Sequence, residues 1–230
     1  MTVFKLCDSF SGIEISPILF VKGENRLALY GLSNIKDERL HRLFRQEAVH
    51  LDIPEETPNE WFNLFVLHQN RARHSNTNYI PENFIPDIFD LVVWGHEHEN
   101  RLAPEYREFS EDHKFFISQP GSSVATSLCE AEAGQKSVGL LQVQGKNFKM
   151  DPIHLQTVRP MIFKTVSLME ASSDFTPPDL SGTDKEVQNK VEDALKKYVN
   201  KLLRTELPKK ITGKLEKLNF RPAKRATFTF

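Results

Sequence analysis

Cysteine is nearly absent from this chain: Cys7 and Cys129 are its only two in 230 residues. Thiols so far apart form no disulfide framework and suit a reducing compartment. Long apolar runs are missing as well. None approaches the ~18–20 residues that a membrane-spanning helix needs, and residues 1–10 lack the continuous apolar core of a secretory signal. There is no excess of either charge, since the net charge is −1, which excludes a chain-wide polycation that holds nucleic acid by bulk charge. No segment repeats another. A cytosolic or nuclear protein with no membrane partner is the expectation.

What is there is an ordinary globular composition. Hydrophobic residues make up 39% and charged residues 27%, with 17 phenylalanines, enough for an aromatic core in one large domain or one domain and part of another. The charge is uneven. From Glu206 to Phe230, seven basic residues (Lys209, Lys210, Lys214, Lys217, Arg221, Lys224, Arg225) outnumber two acidic ones, a local +5 that leaves −6 elsewhere. Such a tail suits nucleic acid, a nuclear address, or a solvated end.

Pattern places the elements. Residues 1–12 carry no strong signal. Ile13 to Val21 reads as a strand, then a turn at Lys22-Gly23-Glu24-Asn25, then a strand from Arg26 to Leu32. Asp37 to Ala48 has helical spacing of Leu40, Leu43 and Phe44. Trp61 to Leu67 is a core strand ending at His68. Pro81 to Phe89 suits a short helix. Lys114 to Ser118 is a short strand, turned sharply at Gln119-Pro120-Gly121. Val138 to Gln144 and Phe148 to Leu155 read as a hairpin, and Met161 to Leu168 as a last strand. Ala171 to Gly182 is linker-like. Thr183 and Glu186 suit a capping box before a helix over 184–204, whose Val187, Val191, Leu195, Val199 and Leu202 share one face.

The chain is organised around Asp90-Leu91-Val92-Val93-Trp94-Gly95-His96-Glu97-His98. A short β-branched and aromatic run suits a buried strand of an α/β sheet. Gly95 suits a sharp exit with unusual backbone angles. In extended backbone, residues two apart point the same way, so His96 and His98 can share one target. His68 repeats the pattern at the end of its own strand. Neutral imidazole is the commonest metal ligand, and open α/β sheets bind ligands beyond the carboxyl ends of their strands. Two-metal phosphodiester chemistry also needs carboxylates that bridge ions ~3.5–4 Å apart. The chain holds no Asp-x-His, Gly-Asp or Gly-Asn-His-Asp.

Three blocks, Phe62 to Arg71, Asp90 to His98 and Ile117 to Ser123, closely resemble the eukaryotic meiotic recombination eleven nuclease family, double-strand-break repair members of the calcineurin-like metallophosphoesterases. Ile15 to Leu32 and Asp37 to Leu40 are similar too, and the likeness runs from about residue 12 to 170. The resemblance implies a partial four-layer α/β sandwich of the calcineurin-like metallophosphoesterase type, followed by the start of a small α+β capping domain. It divides the chain into residues 1–158 (nuclease domain), 159–205 (start of the DNA-capping domain) and 206–230 (basic tail). It implies His68, His96 and His98 as metal ligands, two manganese ions in a complete site, and DNA as substrate, cut endonucleolytically and from 3′ ends. Asn70, Arg71, Arg73, His74 and Ser122 are candidate DNA contacts. An SMC-like ATPase and nibrin are the implied protein partners, and the nucleus the implied location.

The family's aspartate- and asparagine-bearing blocks have no counterpart in this chain. An N-terminally incomplete form, inactive alone, is the expectation. Its alternatives are a non-catalytic family member with weak DNA binding, or a related metallophosphatase.

Overall fold

The computed structural model describes residues 12–73, 75–159, 161–172 and 175–205, together with the backbone of residues 4–6. The basic tail expected from Glu206 onward lies outside the described residues, as does His74. The chain divides into two compact units. One is Met1–Ser127 with Gly134–Leu155, and the other is Leu128–Ala133 with Gln156–Phe230.

The first unit is mixed α/β. Its strands are β1 (Phe4–Leu6), β2 (Ile13–Ile15), β3 (Ile18–Lys22), β4 (Asn25–Leu32), β5 (Val49–Leu51), β6 (Trp61–His68), β7 (Leu91–Gly95), β8 (Arg101–Glu108), β9 (Lys114–Gln119), β10 (Ser137–Gln144) and β11 (Asn147–His154), with one helix, α1 (Asp37–Arg45). Six strands form one sheet in the order β3-β4-β6-β7-β9-β8, and β1-β2-β5 and β10-β11 are separate small sheets. Strands β4, β6, β7 and β9 run parallel as successive neighbours. Their carboxyl ends (Leu32, His68, Gly95 and Gln119) therefore open on one rim.

Alternation explains why β6 and β7 lie at the centre. Trp61, Phe65 and Leu67 face a core that also takes Val92 and Trp94 of β7, Leu40 and Leu43 of α1, and Ile13 and Ile15 of β2. Phe62, Leu64 and Leu91 face the other way, onto Phe148 and Met150 of the β10–β11 hairpin. A strand apolar on both faces suits a covered parallel sheet. Each such side chain adds about 1.5–3 kcal/mol over leaving it in water. In the second unit, α2 (Asp184–Thr205) packs Val191 and Leu195 against Phe175. Among the described residues no helix is long and apolar enough to cross a membrane.

Several expectations are corrected. Ile13 to Val21 is two strands in two sheets, because Pro17 interrupts the ladder and Ser16 turns its hydroxyl to Asp52. The helix from Asp37 stops at Arg45, where Glu47 takes a φ of 53° and delivers the chain into β5 beside β2. Between Pro81 and Phe89 there is only the 3-10 turn Glu82–Phe84. Arg101–Glu108 is an unexpected edge strand whose charges belong to an ion network. Residues 161–168 form no strand; Val166 and Leu168 pack against the α2 cluster instead. The Thr183 box closes on one side: Glu186 accepts from both the Thr183 N–H and its hydroxyl, each at 2.9 Å.

Candidate metal centre

The pairing of β6 with β7 runs to the last residue, setting His68 opposite Gly95. A Cβ at Gly95 would stand 3.0 Å from His68 Nδ1 and 3.2 Å from the Leu67 carbonyl oxygen. Close approach favours glycine here, which corrects the expectation of an unusual turn at Gly95. The left-handed angle falls one residue later, on His96, with a φ of 80°. That conformation costs a non-glycine residue roughly 1–3 kcal/mol. It returns the imidazole towards β6. His96 Nδ1 lies 3.3 Å from His68 Nε2, and the rings meet edge to face with centroids 5.1 Å apart.

His98 is held elsewhere. Its Nδ1 is 2.5 Å from Thr126 Oγ1. Its carbonyl accepts from Lys136 Nζ at 2.7 Å and from the Ser122 N–H at 3.2 Å. The rule that residues two apart point together holds for extended backbone, and His96 is not extended. So His96 turns to His68 and His98 to Thr126. Among the described residues no group of three or more His, Cys, Asp or Glu side chains is arranged to hold a metal ion. Two exposed imidazoles with facing nitrogens fit part of a ligand set, and they do not make a whole one.

Around the pair the chain is firmly tied. The Asn70 amide donates to Asp37 Oδ2 at 2.8 Å, and buried Gln69 bridges Ile35 and Asp37. Arg71 has a side chain only 6% exposed. Its guanidinium reaches Glu82, Gln119 and Glu105 and lies 5.8 Å from the Trp94 ring centroid. Burial acts to raise the Glu105 carboxyl, but the hydrogen bond from Arg71 and the charges of Arg71, Arg101 and Arg107 outweigh it and hold it below the ordinary value. Glu97, between the two rim histidines, accepts from the Arg71 and Ala72 N–H groups at 2.7 and 2.9 Å.

Of the expected DNA contacts, Asn70 and Arg71 thus serve the protein's own carboxylates. Ser122 lies in the hydrogen-bond cluster of His98 and Lys136. Arg73 is exposed and its guanidinium donates to Asn76 Oδ1 at 2.7 Å.

A family model described as "Mre11 DNA-binding presumed domain" matches residues 148–216. The chain is 49% identical over 169 residues to a human protein named double-strand break repair protein MRE11, covering 74% of this chain and 23% of that one. It is 42% identical over 193 residues to the protein of that name from Coprinopsis cinerea, covering 84% and 25%. It is 51% identical over 154 residues to double-strand break repair protein mre-11 of Caenorhabditis elegans, covering 64% and 21%. The chain is similar to Mre11 proteins over most of its own length. It spans about a quarter or less of the length of these relatives.

Within the chain the stretch matched by the Mre11 family model starts in β11 and takes in all of α2. The histidine pair lies before that stretch. Reasoning from the sequence missed the residues that hold the pair in place. Glu97 was visible between two histidines, and Gln69-Asn70 directly behind His68. Lys136, only 2% exposed, carried no signal, because nothing local marks a lysine that folds inward.

Proposed function

We propose that this chain is the histidine-bearing and DNA-facing share of a manganese-dependent double-strand-break repair nuclease, with a calcineurin-like metallophosphoesterase sheet. The observation that supports it best is the His68–His96 pair on the rim of a parallel sheet, in a chain similar to Mre11 proteins. Residues 1–158 are the phosphoesterase share, 159–205 the start of a capping domain and 206–230 a basic tail. His68, His96 and His98 are the proposed metal ligands. Bound manganese would acidify water and neutralise phosphate charge. The chain's own part is to present two imidazole nitrogens at a fixed spacing and keep them solvent-accessible. Arg73, exposed in the loop that leaves His68, is the phosphate contact proposed from the five candidates. The whole protein is proposed to act in the nucleus with an SMC-like ATPase and nibrin.

Hydrolysis needs carboxylate ligands beyond these histidines, so the chain is expected to bind Mn²⁺ and DNA without cutting. Calorimetric titration with Mn²⁺ and a gel-shift assay with single-stranded and hairpin DNA test this. His68→Ala or His96→Ala should remove Mn²⁺ binding and leave DNA binding in place. A chain that takes up neither Mn²⁺ nor DNA sinks the proposal. A chain that holds DNA but no Mn²⁺, with or without these histidines, supports the second reading of a non-catalytic DNA-binding member, which the lack of a three-ligand group among the described residues favours.

A further inference from the structure

We propose that Glu97 is a positioning residue: its carboxylate locks the two histidine-bearing strand exits together and holds His96 in the conformation that faces His68. The significance of the lock for metal binding rests on the function proposed above; the lock itself does not.

The argument begins from strain. His96 carries a φ of 80°, and a side chain persists there only where its surroundings over-determine the backbone. Before His96, the Trp94 indole donates to the Gln69 carbonyl at 2.9 Å. After it, Lys136 and Ser122 hold the His98 carbonyl. Neither tie runs from the turn itself to the chain leaving His68. Glu97 makes that connection. One carboxylate oxygen accepts two consecutive N–H groups, from Arg71 at 2.7 Å and Ala72 at 2.9 Å. These residues follow His68 by three and four positions. Charge-assisted bonds of this kind are shorter and stronger than neutral ones. The receiving end is rigid too, because the Arg71 guanidinium is fixed by Glu82, Glu105 and Gln119. The lock therefore joins β6 and β7 beyond the end of their ladder, where the main chains no longer pair.

Two observations separate positioning from general loop stability: the contact between the two rings, and rescue by the isostere. A Gln side chain keeps an oxygen that can accept both N–H groups, while Ala keeps none. The chain is labelled at its histidines, the ring-to-ring nuclear Overhauser contact of His68 with His96 is recorded, and Mn²⁺ affinity is titrated. Glu97→Ala should lose the ring contact and weaken Mn²⁺ binding roughly tenfold or more, the range for residues that orient metal ligands. Glu97→Gln should keep the contact and most of the affinity. Ile117→Val, a change in the fully buried part of β9, lowers the melting temperature without touching the rim and should leave both readouts alone. If Glu97→Ala does not fold, Glu97→Asp replaces it; it keeps the charge, falls a methylene short, and should also lose the ring contact. A ring contact retained in Glu97→Ala or Glu97→Asp overturns the proposal, whatever the metal does. So does a Glu97→Gln variant as defective as Glu97→Ala. An unsubstituted chain that binds no Mn²⁺ removes the metal reading alone, and the ring contact then decides the lock.

Discussion

Gly95→Ala tests the close approach at the rim. The added methyl would meet His68 Nδ1 at 3.0 Å and the Leu67 carbonyl oxygen at 3.2 Å. Overpacking of this kind costs about 1–3 kcal/mol. Alanine offsets part of that, since Gly95 is not in the left-handed region and replacing glycine lowers unfolded-chain entropy by about 0.4–1 kcal/mol. The net expectation is a loss of about 1 kcal/mol, or about 2–4 °C in melting temperature for a chain of this size. In a His68→Ala background the imidazole contact is gone and only the milder contact with the Leu67 oxygen remains. There the same substitution should be close to neutral. Urea denaturation of the four proteins, followed by circular dichroism, gives the coupling free energy, expected at about 1 kcal/mol. Additivity within ~0.3–0.5 kcal/mol, the scatter of independent sites, would refute the claim that Gly95 is glycine on account of the His68 ring.

Other outcomes follow from the same geometry. Arg71→Met removes one of the two guanidinium groups that Glu82 and Glu105 share, Arg107 being the other, and should cost about 2 kcal/mol, read from the denaturation midpoint. Glu105 has a folded pKa below its ordinary value of 4.5, so its contribution is present above that pH and lost as pH falls through the lower folded value; urea curves from pH 6 to 3 should fall more steeply for the wild type than for Glu105→Gln. The Tyr30 hydroxyl is pushed up to about 12 by burial and then by the Asp52 charge. Its contribution is complete below pH 10 and lost as pH rises from 10 to 12, so Tyr30→Phe should flatten the alkaline limb of the stability curve. At the start of α2, Glu186→Ala should lower helix content by far-UV circular dichroism more than Thr183→Ala, because Glu186 accepts two bonds there.

Strong periodicity was easy to read. The β6 and β7 runs, the β10–β11 hairpin and α2 all lie where alternation and 3.6-residue spacing put them. The short pieces were not legible, for physical reasons. Three-residue strands such as β5 carry too few side chains to show a period, and their pairing is decided by distant residues such as Ile13. Arg101–Glu108 carries too few apolar residues to show a period, and its charges are satisfied laterally, by Arg71 and Glu82. At the site, the residue types were visible but the angle between them was not. His96 and His98 seemed aligned because the backbone was taken as extended. One left-handed residue parts them, and no side chain in the sequence announces it.

The in-register pairing of β6 with β7 reaches further than the site. Side chains alternate along a strand, so a one-residue slip would send His68 to the opposite face. What prevents the slip is the apolar alternation on β6, with Phe65 and Leu67 to one side and Phe62 and Leu64 to the other. The greasy interior thus acts as the gauge that spaces two imidazoles. A core substitution far from the rim, harmless by volume but permissive of slippage, would blunt the site as surely as deleting a histidine.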